Sequence, residues 1–265
     1  MTEFSDYINL EMPFFFKATF EFSLLFLFLL CFIHSTNVYG LKRTVREFTA
    51  GFFLTACCES VGVLSGAYVY PGYHFYLFSI PIVNPASWIS LVYIVMAITN
   101  RFFLKESYST NFLLKRLYNG SLLVSIFVLA LVDSSLALVI DLVMDPLATI
   151  YNWWIWVNPE DVRVVNGVVD NYNFDTLTHL TTPDNPIADY FSSFFYQGYR
   201  YPTRLFGIPL INFIAWFVFV FVFAFQFRWV ESKLNWSEFK KTIVLWVLML
   251  VDVPFLCYLL ITPNF

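Results

Sequence analysis

The sequence predicts an all-α polytopic membrane protein with about six transmembrane helices, and three observations carry that expectation. Apolar residues make up 59% of the chain and charged residues 13%, with a mean hydropathy of +0.67. Soluble domains run nearer to about 45–50% apolar and about 25% charged. The apolar residues fall in runs of the roughly 20 residues that a helix needs to cross a bilayer. Lys and Arg gather in short connections between those runs, as the positive-inside rule describes. The 265 residues fit one membrane domain, 1–265. A net charge of −4 excludes a general nucleic-acid surface, so the partners expected are membrane lipid and no nucleic acid.

In chain order, the spans fall at roughly 13–34, 47–67, 81–100, within 117–156, 207–228 and 242–261. The first run is flanked by Glu3, Asp6 and Glu11 rather than by bases, so it reads as a spanning helix and not a cleaved signal. Eleven of the 15 basic residues lie in three connections. These are 35–46 (Lys42, Arg43, Arg46), 100–116 (Arg101, Lys105, Lys115, Arg116) and 228–241 (Arg228, Lys233, Lys240, Lys241). The positive-inside rule makes those loops cytoplasmic and both termini non-cytoplasmic in a cell membrane. Residues 117–156 are long for one crossing. Asp133-Ser134-Ser135 could split them into a hairpin, which would invert everything after it, but one long or bent crossing is preferred. The polar segment 157–206 is expected to be an outer insertion that caps the membrane face, with a short hairpin around Val162-Arg163-Val164-Val165. The cysteines Cys31, Cys57, Cys58 and Cys257 sit in apolar runs and read as small buried residues.

Two blocks recur. Ile80-Pro81-Ile82-Val83-Asn84-Pro85-Ala86-Ser87-Trp88 aligns without gaps on Ile208-Pro209-Leu210-Ile211-Asn212-Phe213-Ile214-Ala215-Trp216. Upstream of each copy, a carboxylate precedes an aromatic-x-aromatic pair: Glu59 with Tyr68 and Tyr70, Asp145 with Trp154 and Trp156. Repeat halves of about 47–100 and 133–228 are expected, both running the same way, with 157–206 inserted in the second. A pseudo-twofold axis along the membrane normal would then set Glu59 opposite Asp145.

Acids inside predicted helices are costly in hydrocarbon, so they face the bundle interior and mark a site. Those counted are Glu59, Asp133, Asp141 and Asp145, and Asp141 and Asp145 share a helix face. No Lys or Arg is counted within their segments, so an acid there can stay protonated and donate a proton. Tyr68, Tyr70, Trp154 and Trp156 would offer π-faces to a developing cation. They would equally suit an interfacial belt. Glu59, Asp141 and Asp145 are therefore the candidate catalytic residues. Tyr68, Tyr70, Trp88, Trp154, Trp156, Asn212 and Trp216 are the candidate substrate-binding residues. Asp252 reads as structural, and His34 and His74 as interface residues. Arg200 and Arg204 read as solvated or touching an anionic group.

The run Glu59-x-x-Gly62-x-x-x-Gly66-x-Tyr68-x-Tyr70, then Ile80-Pro81 with Trp88, Asp141-x-x-x-Asp145-Pro146 with Trp154-x-Trp156, and Gly207-Ile208-Pro209-Leu210-x-Asn212-Phe213-x-x-Trp216, resembles the carotenoid biosynthesis proteins, including carotenoid 1,2-hydratases of the bisanhydrobacterioruberin hydratase type. The likeness spans about 55–220. It departs from the family at Leu205-Phe206, Ser79 and Ala215, where the family tends to carry Tyr-Tyr, Gly and Gly. It implies a membrane lyase that adds water across the terminal double bond of an acyclic carotenoid, with no metal or organic cofactor. Other carotenoid-pathway membrane enzymes are implied as possible partners. Two rivals stand beside it. The parallel repeat and buried acids also suit a transporter or lipid-binding scaffold, and Asp141-x-x-x-Asp145 suits a prenyltransferase of the UbiA type. The latter would need a second Asp-rich motif and basic partners.

Overall fold

The computed structural model describes residues 14–65, 67–70, 72–104, 122–150, 153–156, 163–165, 168–170, 203–206 and 208–261. Among them six helices form: α1 (Phe14–Tyr39), α2 (Leu41–Leu64), α3 (Val83–Leu104), α4 (Leu122–Ile150), α5 (Leu210–Glu231) and α6 (Glu238–Ile261). Each is long and apolar enough to cross a membrane. The protein is an all-α polytopic membrane protein. Among the described residues, strands appear as antiparallel pairs in the connections: β1 (Tyr68–Val69) with β4 (Ile155–Trp156), β2 (Tyr76–Leu77) with β3 (Ile80–Pro81), β5 (Arg163–Val165) with β6 (Val168–Asp170), and β7 (Arg204–Leu205) with β8 (Ile208–Pro209). The β5–β6 pair is the hairpin expected around 162–165. The cap expected over the rest of 157–202, with Arg200, lies outside the described residues, as do Glu3, Asp6, Glu11, Lys105, Lys115 and Arg116.

Packing follows the apolar pattern turned outward as well as inward. Phe22, Phe26, Leu29 and Ile33 of α1, Val139 and Val143 of α4, and Leu250 and Val251 of α6 are exposed. Phe48, Leu54, Ile89, Val92, Val220, Phe223, Phe227 and Met249 form the common core. Helix α4 packs mainly on α5, α2 on α6 and α3, and α1 on α3. A Cβ at Gly51 would overlap the Ile89 side chain and crowd Phe223, so the glycine is what lets α2 approach α3 and α5 so closely.

The helix ends differ from the sequence expectation. Residues 35–46 are not a loop. Helix α1 runs to Tyr39, Gly40 takes a positive φ of 86°, and α2 starts at Leu41. One glycine suffices because, with no Cβ, it takes this φ together with a ψ of 152°, a combination essentially closed to other residues. The bases of that stretch are not all solvated. Arg43 stacks on the Tyr39 ring at 3.6 Å. Arg46 is buried and donates to Glu231 from Nε at 2.9 Å and again from Nη2. It also donates to Glu238 at 3.0 Å. Residues 228–241 likewise shrink to a turn over 232–237, and Arg228 lies in the last turn of α5.

Arg228 corrects two further expectations. Its Nε and Nη2 donate to Asp133 Oδ2 at 2.9 and 2.8 Å, so the interior does hold a base beside one of its acids. With Asp133 paired, α4 has no reason to break there. Ser134 and Ser135 donate to the Leu131 carbonyl at 3.0 and 2.7 Å, which satisfies both hydroxyls within the helix. Residues 122–150 therefore form one continuous α4, unbroken at 133–135. The acid inventory also omitted Glu21 and Glu47, both buried. Glu21 accepts from the His74 backbone N–H at 3.0 Å and pairs with its Nδ1, so His74 is a loop anchor. His34 meets the Tyr93 hydroxyl at 2.6 Å. Cys31, Cys58 and Cys257 are buried thiols and Cys57 is half-buried.

Two hairpins carry the recurring Ile-Pro blocks. In β2–β3, Leu77 pairs with Ile80 around Phe78, whose φ is 62°. In β7–β8, Leu205 pairs with Ile208 around Phe206, whose φ is 56°. A positive φ is uncommon for a non-glycine residue. It recurs here at the same place in Leu-Phe-x-Ile-Pro, with Ile80 and Ile208 wholly buried and both phenylalanines exposed.

Candidate functional site

Helices α2 and α4 deliver Glu59 and Asp145 to the hairpin end, and the chain after each turns into an aromatic-x-aromatic strand. Those strands pair with each other, Tyr68 opposite Trp156 and Val69 opposite Ile155. The register brings the two carboxylate blocks together on one site. Tyr68 and Trp156 meet edge to face at 4.7 Å, and Tyr68 and Tyr70 at 5.6 Å.

Glu59 accepts at a single oxygen, Oε2, from the Tyr68 hydroxyl at 2.6 Å and the Tyr70 hydroxyl at 2.8 Å. The Asn84 amide in turn donates to the Tyr70 oxygen and lies within reach of Glu59. Burial, and then the neighbouring Glu59 carboxyl, push the Tyr70 phenol well above its usual range, so it remains a donor. Gly62 is part of this geometry. A Cβ there would strike the Tyr68 phenol, which lies across the α2 backbone one turn beyond Glu59.

On the other side, Asp141 and Asp145 stand one turn apart on α4 and share one donor. The Asn212 amide donates to Asp145 Oδ2 and, at 3.3 Å, to Asp141 Oδ2. Trp154 lies close to Asp145, yet its indole N–H has no well-formed hydrogen bond among the described residues. Asn84 and Asn212 occupy the same position of the recurring Ile-Pro-x-x-Asn element. Asn84 holds the Tyr70 phenol that bonds Glu59, and Asn212 holds Asp145 and Asp141.

A small cavity of about 40 Å³, room for a bound water, lies between the two groups. Glu59, Tyr68, Trp156, Asn212, Trp88 and Trp216 line it. Cys58, Ala67 and Phe219 complete its apolar wall. Trp88 and Trp216 touch each other, ring centres 6.2 Å apart. Four of the expected residues stand behind this wall. Asp141 and Asp145 back Asn212, Tyr70 backs Glu59, and Trp154 packs on Tyr70 at 6.2 Å. Asn84 was not among the sequence candidates, although its place in the recurring element marks it.

The family model of the carotenoid biosynthesis proteins matches residues 19–167, more than half of the chain. The chain belongs to that family. This carotenoid biosynthesis protein thus has its role in carotenoid biosynthesis, and the matched stretch runs from α1 past β5. It takes in Glu59, Tyr68, Tyr70, Trp88, Asp141, Asp145, Trp154 and Trp156, while Asn212 and Trp216 lie beyond it. No curated protein and no solved structure matches the chain.

The family member's site combines three carboxyl groups, two phenols and two carboxamides with indole faces. Among the described residues, no Lys or Arg hydrogen-bonds or pairs with Glu59, Asp141 or Asp145. The site can hold and move protons beside an apolar guest, with π-faces placed to shelter positive charge.

Proposed function

We propose that this protein hydrates the terminal C=C of an acyclic carotenoid, working in a cell membrane with its basic end cytoplasmic. The observation that carries the reading is Glu59, a carboxyl group with one oxygen fixed by two phenols, set in the wall of an indole-lined cavity. Glu59 gives its proton to the CH carbon of the double bond, and positive charge develops on the neighbouring tertiary carbon. Tyr68, Trp88, Trp156 and Trp216 shelter that charge. Water adds through oxygen to the tertiary carbon, and the proton it sheds returns to the Glu59 carboxylate, giving a tertiary alcohol and resetting the acid. Asp141 and Asp145 belong to the same acid set and hold Asn212 against the cavity. A proton shared among these carboxyl groups is what keeps three of them together without a base.

Two further observations support reading 47–100 and 133–228 as a parallel repeat. The β1–β4 pairing matches each aromatic block with its counterpart, and Trp88 meets Trp216. The test is expression in a host that accumulates an acyclic carotenoid. A more polar pigment, heavier by one water and missing with Glu59→Gln, is expected. An unchanged pigment profile would instead favour the transporter or scaffold reading.

A further inference from the structure

We infer that the reacting water has a built seat in this cavity, made of Glu59 Oε1, Asn212 Oδ1 and the indole N–H of Trp156; the inference rests on the hydration reading above. Each contributor is left with one unused polar atom by the contacts around it. Both phenols on Glu59 go to Oε2, which leaves Oε1 for the cavity that Glu59 lines. The Asn212 amide nitrogen is committed to Asp145 and Asp141, which fixes the side-chain orientation and leaves its carbonyl oxygen as an acceptor. Trp156 is only 6% exposed, lines the same cavity, and its Nε1 has no hydrogen-bond partner among the described residues. Buried donors are normally paired, so an orphan in a cavity wall points to a guest that accepts. Trp154 also has an indole N–H without a well-formed hydrogen bond, but it lies against Asp145 and does not line the cavity.

The inventory suits water. A buried water makes about three hydrogen bonds. Here it would donate one hydrogen to Glu59 Oε1 and one to Asn212 Oδ1, and accept one from Trp156. That leaves one oxygen lone pair, the pair that must form the new C–O bond. The dyad Asp141 and Asp145 then acts at one remove, as positioning residues that aim Asn212. Glu59 is the only group of the three that both gives a proton to carbon and receives one from oxygen.

The seat predicts a change in partition rather than in overall rate. Once carbon is protonated, the cation either takes water or returns a proton from an adjacent carbon to Glu59, which regenerates the alkene. In deuterium oxide the second route labels the recovered substrate. The experiment uses the full chain in lipid nanodiscs with an acyclic carotenoid, in deuterium oxide, and reads the ratio of alcohol to deuterated substrate. Trp156→Phe keeps the ring and removes the N–H. It should lower that ratio about three- to tenfold, the scale of one hydrogen bond. Trp156→His, which restores a ring N–H, should recover part of it. The ratio does not depend on how much variant protein is folded. An unchanged ratio in Trp156→Phe, or equal loss of alcohol and exchange, would overturn the seat. A wild-type protein that gives neither alcohol nor exchange would overturn the hydration reading itself.

Discussion

Glu59 spends one oxygen on two phenols and keeps the other for the cavity, and the variants that follow from this separate its proton from its geometry. Glu59→Gln keeps size and hydrogen bonding but removes the acidic proton. Product formation should fall by about 10²–10⁴, the usual cost of losing an acid–base group, with folded protein still in the membrane. Near-normal alcohol from that variant, measured in pigment extracts, would remove Glu59 from the chemistry. Asp145→Asn acts through Asn212, so its loss should be smaller, about ten- to hundredfold, the worth of a hydrogen bond to a charged group. Gly62→Ala should displace the Tyr68 phenol from Glu59. Its effect and that of Tyr68→Phe should therefore fail to add in a double-mutant cycle, and simple additivity would contradict the contact. At this scale much of the site is legible in the sequence: buried carboxylates, aromatic-x-aromatic pairs and a recurring Asn mark themselves. Which aromatics face the cavity is not. That depends on the β1–β4 register, and two-residue strands carry no periodicity from which to read it.

At the scale of elements, the apolar runs locate all six helices but misplace their ends. Lys and Arg near a run's end read as loop residues. Arg46 and Arg228 are instead buried against Glu231 and Asp133, partners 185 and 95 residues away that local pattern does not reveal. The Asp133–Arg228 pair is what lets α4 pass through Asp133-Ser134-Ser135 unbroken. Arg228→Gln would strand a buried carboxylate, at a cost of about 3–5 kcal/mol. Its thermal midpoint in detergent should drop sharply and recover in the double variant with Asp133→Asn; no drop would show that the pair does not hold α4 to α5. The hairpins give a second test. Phe206 sits at positive φ and is largely exposed, so Phe206→Asn should be tolerated because Asn adopts that conformation readily. Phe206→Val, β-branched, should cost about 1–3 kcal/mol of backbone strain. Equal midpoints for the two variants would contradict the strained turn.

Across the whole molecule, helices alternate between a hairpin end that carries the site and an opposite end rich in buried ion pairs. Single-cysteine labelling of intact cells should reach position 163 and miss position 233, and the reverse would invert the proposed orientation. The two ends divide the molecule's needs. Charges at one end are neutralised by partners and fix the helices, while at the other Glu59, Asp141 and Asp145 have no Lys or Arg paired with them among the described residues, and Glu59 lines the cavity. The Leu-Phe-x-Ile-Pro turn occurs twice, and so does an asparagine set beside a carboxyl group, once near Glu59 and once at Asp145. The central claim is that oxygen enters the carotenoid from water at that cavity. The most direct measurement supplies purified protein in nanodiscs with an acyclic carotenoid in heavy-oxygen water, without dioxygen, and weighs the product. A tertiary alcohol carrying the heavy oxygen is expected. No alcohol under these conditions, or an alcohol formed only in air and carrying dioxygen's oxygen, would contradict it.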